Sequence, residues 1–154
     1  MEISAKMKKG MMRKIEPSPI FEMRRADLRK QVGGIIEKAG NDTEVLAVFL
    51  FGSVAQGKAR KNSDVDICLV LKQNRYTAFE LSQKKMEYLK SFNADIQIFQ
   101  QLPLYIRKRI IREAKMLFCK DEDELYLVAF RTISEFEDFR HIYYDYLEEV
   151  ESVR

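Results

Sequence analysis

Residues 50–66 read LFGSVAQGKARKNSDVD. An apolar run ends in Gly52-Ser53, a basic and polar stretch follows, and the chain turns apolar again through Asp64 and Asp66. The segments on either side decide the fold. Upstream, VLAVFLF (45–51) is short and wholly apolar, the pattern of a strand covered on both faces. Downstream, VDICLVL (65–71) repeats it. Residues two apart in a strand share a face, so Asp64 and Asp66 project together while Val65 and Ile67 turn into the core.

The rest of the chain supplies elements to flank these strands. Ile20, Met23, Leu28, Val32, Ile35, Ile36 and Ala39 mark an amphipathic helix, weakened by Gly33-Gly34 and ended by Gly40-Asn41-Asp42. Residues 75–92 read as a second helix, with Tyr76, Phe79, Met86, Leu89 and Phe92 on its apolar side. ADIQIF (94–99) alternates as a third strand. A helix from about Leu104 to Leu117 follows Pro103, and a long one from about Glu122 to Val150 comes last. The order α-β-β-α-β-α-α predicts an α/β (α+β) domain whose small sheet is flanked by helices. Three parts are expected: a loosely ordered basic arm over 1–19, a domain over 20–120, and a C-terminal helix over 121–154.

Composition sets outer bounds. A chain of 154 residues, 46% hydrophobic and 33% charged, suits one domain with a sizeable core. No apolar run approaches the roughly 18 residues of a membrane span, and no apolar segment follows the basic N-terminus as an export signal would require. Cys68 and Cys119 are too few for a disulfide framework and too isolated for a zinc site, so a reducing cytoplasm fits best. The net charge of +3 hides an asymmetry. Residues 1–30 hold nine Lys/Arg against four Asp/Glu, a net of +5, and residues 121–154 hold eleven acids against three Arg, a net of −8. Such ends can mark a nucleic-acid arm, but no aromatic or glycine-rich pattern interleaves these lysines, and mutual attraction or a charged partner is favoured.

The chemistry concentrates in the quoted stretch. Two carboxylates as close as Asp64 and Asp66 repel unless protonated or bridged by a cation. A hard, oxygen-seeking ion such as Mg²⁺ resolves the repulsion through one or two carboxylates plus substrate phosphates. Alone, the pair is a weak motif and reads more simply as a solvated strand end with two exposed acids. Gly52-Ser53 alters that balance, since a glycine lets backbone approach a ligand and turn amides attract phosphate. Asp95 opens a further strand with Gln97 on its face, and a third carboxylate there completes a two-metal site suited to in-line phosphoryl or nucleotidyl displacement.

With those residues in view, GSVAQGKARKNSDVDICLV resembles the nucleotidyltransferase motif of the DNA polymerase β superfamily. It is most similar to the minimal nucleotidyltransferases, whose motif runs Gly-Ser-x-Ala-Arg-Gly and then Ser-Asp-x-Asp. Gly52, Ser53, Ala55, Gly57, Ala59, Arg60, Ser63, Asp64 and Asp66 match in register, and the third family aspartate falls on Asp95. The resemblance implies a mixed sheet with helices packed on one side. It implies that Asp64, Asp66 and Asp95 bind two Mg²⁺ ions and form the catalytic set, with Asp95 helping to deprotonate the acceptor hydroxyl. It also implies that Gly52-Ser53 holds the triphosphate of ATP. Gln56, Lys58, Arg60 and Ser63 complete the expected nucleotide-binding set. One departure stands out: Gln56 occupies the place of the family arginine and offers hydrogen bonds without a charge, a deficit that Lys58, Arg60 and Lys61 can offset.

The remaining features read more plainly. His141 belongs to packing or surface, Cys68 to the core beneath the aspartates, and RKRIIREAK (107–115) to a solvated helix face. The last helix carries a stripe of Leu125, Val128, Thr132, Phe136, Phe139, Tyr143, Leu147 and Val150, widened by Tyr126, Phe130, Ile133, Tyr144 and Tyr146. That much apolar surface calls either for burial on two sides within its own domain or for a second chain, a partner or another copy. The resemblance implies an antitoxin that adenylylates a tyrosine of a HEPN-type toxin. Transfer to a small-molecule hydroxyl, and a non-catalytic module holding a toxin or nucleic acid, are the alternatives.

Overall fold

The computed structural model describes residues 26–52 and 65–153, with side chains from residue 29; the expected 1–19 arm lies outside them. Helix α1 (Ala26–Asn41) leads into strand β1 (Val45–Phe51), and strand β2 (Asp66–Leu71) follows the quoted stretch. Helix α2 (Ala78–Ser91), strand β3 (Asp95–Ile98) and a single 3₁₀ turn (Phe99–Gln101) come next. Helix α3 (Leu104–Glu113), strand β4 (Lys115–Cys119) and helix α4 (Glu122–Ser152) complete the order.

The sheet runs β3-β2-β1-β4. β1 is antiparallel to both β2 and β4, while β2 and β3, joined through α2, are parallel. β1 therefore sits in the middle and is buried over all but its last residue, as its unbroken apolar run predicts. Alternate residues feed two separate cores. Val48, Leu50, Ile67, Leu69, Ile96 and Ile98 pack with Val32, Ile35 and Ala39 of α1 and Tyr88 of α2. Phe49, Cys68, Val70 and Met116 pack with Ile110 of α3 and Leu125 and Val128 of α4. Helices thus cover both faces, a correction to the one-sided packing that the resemblance implied. The reason lies in β1 and β2, which are apolar on both sides and need two covers.

A second correction concerns residues 115–119. The sequence pattern carries a helix through to Leu117, whereas α3 stops at Glu113 and KMLFC forms β4. Ala114 leaves helical geometry with φ −72° and ψ 154°. The following residues then pair with the side of β1 that β2 leaves open, Ala47 opposite Cys119 and Leu50 opposite Lys115.

Local devices fix the helices. Thr77 caps α2 by accepting from the Glu80 N–H at 3.1 Å, and Asp121 caps α4 by accepting from Asp123 and Glu124. Gly34 has a packing role, since a Cβ there would lie 2.9 Å from the Phe92 ring. Asp42, in the turn before β1, accepts from Lys84 Nζ at 2.9 Å and from the Tyr88 hydroxyl at 3.0 Å, and its backbone carbonyl accepts from Lys120. This knot ties α1, α2 and the end of β4 to one turn.

Helix α4 divides in two. Leu125, Tyr126, Val128, Ala129 and Thr132 are buried against the domain. Beyond them Phe139, Ile142, Tyr143, Tyr144 and Tyr146 are all exposed. The basic face of α3 is less solvated than its charges suggest. Arg107 reaches Glu135 at 3.8 Å, and Lys108 lies over the Phe136 ring at 3.9 Å from its centre, so both stitch α3 to α4. Among the described residues, no helix is long and apolar enough to cross a membrane.

Candidate active site

Site geometry follows from the ends of three elements. β1 delivers Gly52 just past its last residue, Phe51, which pairs with Asp66 in the antiparallel register. Gly52 has φ +77°, in the left-handed region open to glycine and costly for other residues. A Cβ there would overlap the Asp66 carboxylate, meeting its Cγ at 3.0 Å and its Cβ at 3.3 Å. Only a glycine permits this closeness of turn and carboxylate.

β2 and β3 bring the next pair together. Asp66 stands opposite Asp95 in their parallel register, on strands spaced roughly 4.7–4.9 Å apart. The Asp95 N–H donates to the Val65 carbonyl at 2.9 Å, which locks that register at the mouth of the sheet. Val65 and Ile67 point into the core on the opposite side, as expected from their spacing. Asp66 is half-buried and Asp95 exposed, so one carboxylate is seated and the other faces solvent.

Asp95 is also held from the side. Gln97 Nε2 donates to Asp95 Oδ1 at 3.1 Å, and Lys85 Nζ of α2 donates to Gln97 Oε1 at 3.2 Å. The lysine fixes which end of the amide faces the carboxylate. Gln97 sits on the expected face, but nothing in the pattern of α2 marks Lys85, because the contact joins two separate elements.

Of the expected site residues, Gly52, Asp66 and Asp95 come together. Ser53, Gln56, Lys58, Arg60, Ser63 and Asp64 lie outside the described residues. Among the described residues no group of three His, Cys, Asp or Glu side chains forms a metal-binding cluster. The donors present are carboxylate oxygens, the type a hard divalent cation takes, and the third of the expected set is Asp64. Cys68, on the Asp66 face one pleat deeper, is fully buried. Burial pushes its thiol far above the ordinary 9.0, so it remains a protonated core residue. His141 lies on the exposed half of α4.

A cavity of about 200 Å³ opens beside Gly52, between the end of β1 and α3. Phe51, Ile106, Ile110 and Ala114 give it apolar walls, and Arg109 and Glu113, paired at 3.2 Å, add polar groups. Sequence reading misses it because its two sides lie far apart in the chain.

The chain is similar to several known proteins in sequence and in fold. A Methanocaldococcus jannaschii protein named "Putative protein adenylyltransferase" is 40% identical over 84 residues, 54% of this chain and 62% of that protein's length. A crystal structure of a toxin–antitoxin pair with AMP-PNP contains a chain of similar fold, with TM-score 0.57 and 18% identity over 79% of this chain and 96% of the other. A complex of a tri-AMPylated Shewanella oneidensis HEPN toxin with its MNT antitoxin gives TM-score 0.52 and 16% identity over 76% of this chain and 93% of the other. The family model for polymerase beta nucleotidyltransferases matches residues 34–123, a stretch that runs from α1 through all four strands and holds Gly52, Asp66 and Asp95. This chain belongs to the polymerase beta nucleotidyltransferase family.

Proposed function

We propose that this protein is a metal-dependent nucleotidyltransferase that transfers AMP from ATP to a tyrosine hydroxyl of a HEPN-type toxin partner, and so acts as an antitoxin. The observation that carries this reading is the placement of Asp66 beside Asp95 with the Gly52 turn packed against Asp66. A carboxylate pair next to a turn whose amides can meet phosphate is the arrangement that nucleotidyl transfer needs.

Asp64, Asp66 and Asp95 would hold the metal. Two Mg²⁺ ions bound there would supply charge neutralisation for the carboxylates and the triphosphate. The chain's own groups do the positioning. Gly52 and Ser53 seat the triphosphate, with Gln56, Lys58, Arg60 and Ser63 completing the grip. Asp95, held by Gln97, takes the proton from the acceptor hydroxyl as its oxygen bonds to the α-phosphorus and pyrophosphate leaves. A tyrosine hydroxyl, with an ordinary pKa near 10, needs that assistance at neutral pH.

Two comparisons support the acceptor: the archaeal relative carries a protein adenylyltransferase name, and one structural neighbour is a complex with an AMPylated HEPN toxin. The exposed aromatic half of α4, within a segment of net charge −8, supplies a surface suited to a basic partner. In this reading residues 20–120 form the catalytic domain, residues 121–154 the partner-facing helix, and residues 1–19 a basic arm.

Incubation with a HEPN-domain protein from the same genome, ATP and Mg²⁺, followed by intact-mass measurement, tests the proposal. The expected result is one added AMP per acceptor tyrosine, lost with Asp66→Asn. A partner that binds tightly without gaining mass means a scaffold instead of an enzyme. A small alcohol modified in preference to any protein means an antibiotic-type transferase.

A further inference from the structure

Apart from Gly52, the walls of the cavity beside the Gly52 turn have no part in gripping phosphate or activating the acceptor. From these walls and its position we infer that the cavity is the nucleobase pocket of the transferase and selects adenine or cytosine, whose ring carries an amino group where guanine and uracil carry a carbonyl. This inference rests on the nucleotidyltransferase reading. Gly52 is both the turn against Asp66 and part of the cavity wall, so a nucleotide whose phosphates meet that turn has its base within reach.

Size and lining fit a base. The volume of about 200 Å³ is below the roughly 300–1,000 Å³ of whole-ligand sites, as expected where only the ring is enclosed and ribose and phosphates lie outside. Phe51 offers an aromatic face, and Ile106, Ile110 and Ala114 offer apolar walls against which a planar ring desolvates. The occupant needs polar edges as well, because Arg109 and Glu113 belong to the same wall. Their ion pair uses Oε2 of Glu113. The second carboxylate oxygen is an acceptor suited to the amino group of adenine or cytosine, and it opposes the carbonyl oxygen that guanine or uracil presents at the same place. The guanidinium can donate to a ring nitrogen. An acceptor tyrosine fits less well, since its hydroxyl would lie among the apolar walls instead of beside Asp95.

Calorimetric titration with ATP, GTP and inorganic tripolyphosphate, each with Mg²⁺, separates base from phosphate recognition. Wild type should bind ATP at least about tenfold more tightly than tripolyphosphate. Phe51→Ala should remove most of that difference while leaving tripolyphosphate binding unchanged. Glu113→Gln should narrow the ATP-over-GTP preference, and Ala114→Leu should weaken ATP by filling the cavity. Phe51 lies at the end of a core strand, so if Phe51→Ala fails to fold the two α3-end variants carry the test. Variants that weaken ATP and tripolyphosphate equally, or that leave ATP binding and base preference unchanged, overturn the pocket and spare the transferase. A wild type that binds neither ATP nor tripolyphosphate overturns both.

Discussion

The Asp66 carboxylate lies where the Cβ of residue 52 would be, and residue 52 is a glycine with φ +77°. Two constraints coincide at this contact: the backbone favours glycine by conformation, and the neighbouring carboxylate demands it by volume.

Gly52→Ala should therefore destabilise the protein by about 1–3 kcal/mol, part from left-handed strain and part from overlap. Asp66→Ala should recover the overlap share and leave the strain. A double-mutant cycle by urea denaturation reads the coupling, expected at about 0.5 kcal/mol or more in the favourable direction. Strict additivity would mean that the carboxylate swings aside at no cost.

Asp66→Asn nearly preserves shape and removes the charge. It should abolish nucleotidyl transfer while leaving the melting temperature of the free protein unchanged or raised, as repulsion from Asp95 is relieved. In wild type, Mg²⁺ with ATP should raise the melting temperature far more than ATP alone, approaching about 2.7 kcal/mol of stabilisation at a hundred times Kd. Equal shifts with and without Mg²⁺ would refute a metal bridge between carboxylates and phosphate.

The Lys85–Gln97–Asp95 chain predicts a purely positional effect. Gln97→Ala should lower kcat about tenfold by leaving the Asp95 carboxylate to rotate, with little change in the apparent affinity for ATP. Lys85→Met should give a smaller loss, and Lys85→Arg should restore most of it. Steady-state kinetics on all three variants checks the order.

The Asp42–Lys84 pair sets limits at both ends of the pH scale. Burial alone would raise the Asp42 pKa, but hydrogen bonds from Lys84, the Glu44 N–H and Tyr88 hold it below the ordinary 3.8. Its contribution is therefore present above that ordinary value and lost as pH falls through the lower folded value. For Lys84, burial lowers the pKa and the Asp42 hydrogen bond and charge more than reverse this, to a net rise above 10.5. That contribution is full below 10.5 and lost as pH climbs through the raised value. Asp42→Asn should cost about 1–3 kcal/mol at neutral pH, since it removes the nearest carboxylate of Lys84 and leaves only Glu87 at 3.5 Å and Glu44 at 3.7 Å, and should flatten the acid limb of stability.

Legibility in the sequence followed how local each decision was. VLAVFLF and DICLVL announce buried strands because a strand covered on both faces has few alternatives. Asp66 and Asp95 were found by face and position, and the register that sets them side by side agrees. KMLFC misled because Ile106, Ile110, Ala114 and Leu117 keep helical spacing across the break; only the vacant side of β1 makes the segment a strand. The two-part character of α4 was equally hidden. Its stripe of aromatics is continuous in sequence, and burial stops where the domain beneath it stops, beyond Thr132. Likewise Arg107 and Lys108 read as solvated charges because their partners, Glu135 and Phe136, belong to another helix.

The central position of β1 has a consequence for how the chain must be made. Its β2 partner follows closely, but its β4 partner is synthesised only after α2, β3 and α3. A nascent chain that has emerged as far as residue 114 carries an apolar VLAVFLF strand with one side unpaired, the type of edge that recruits other chains. Ribosome-stalled chains ending before Lys115 should bind chaperones or aggregate, and chains extended past Cys119 should be released from both.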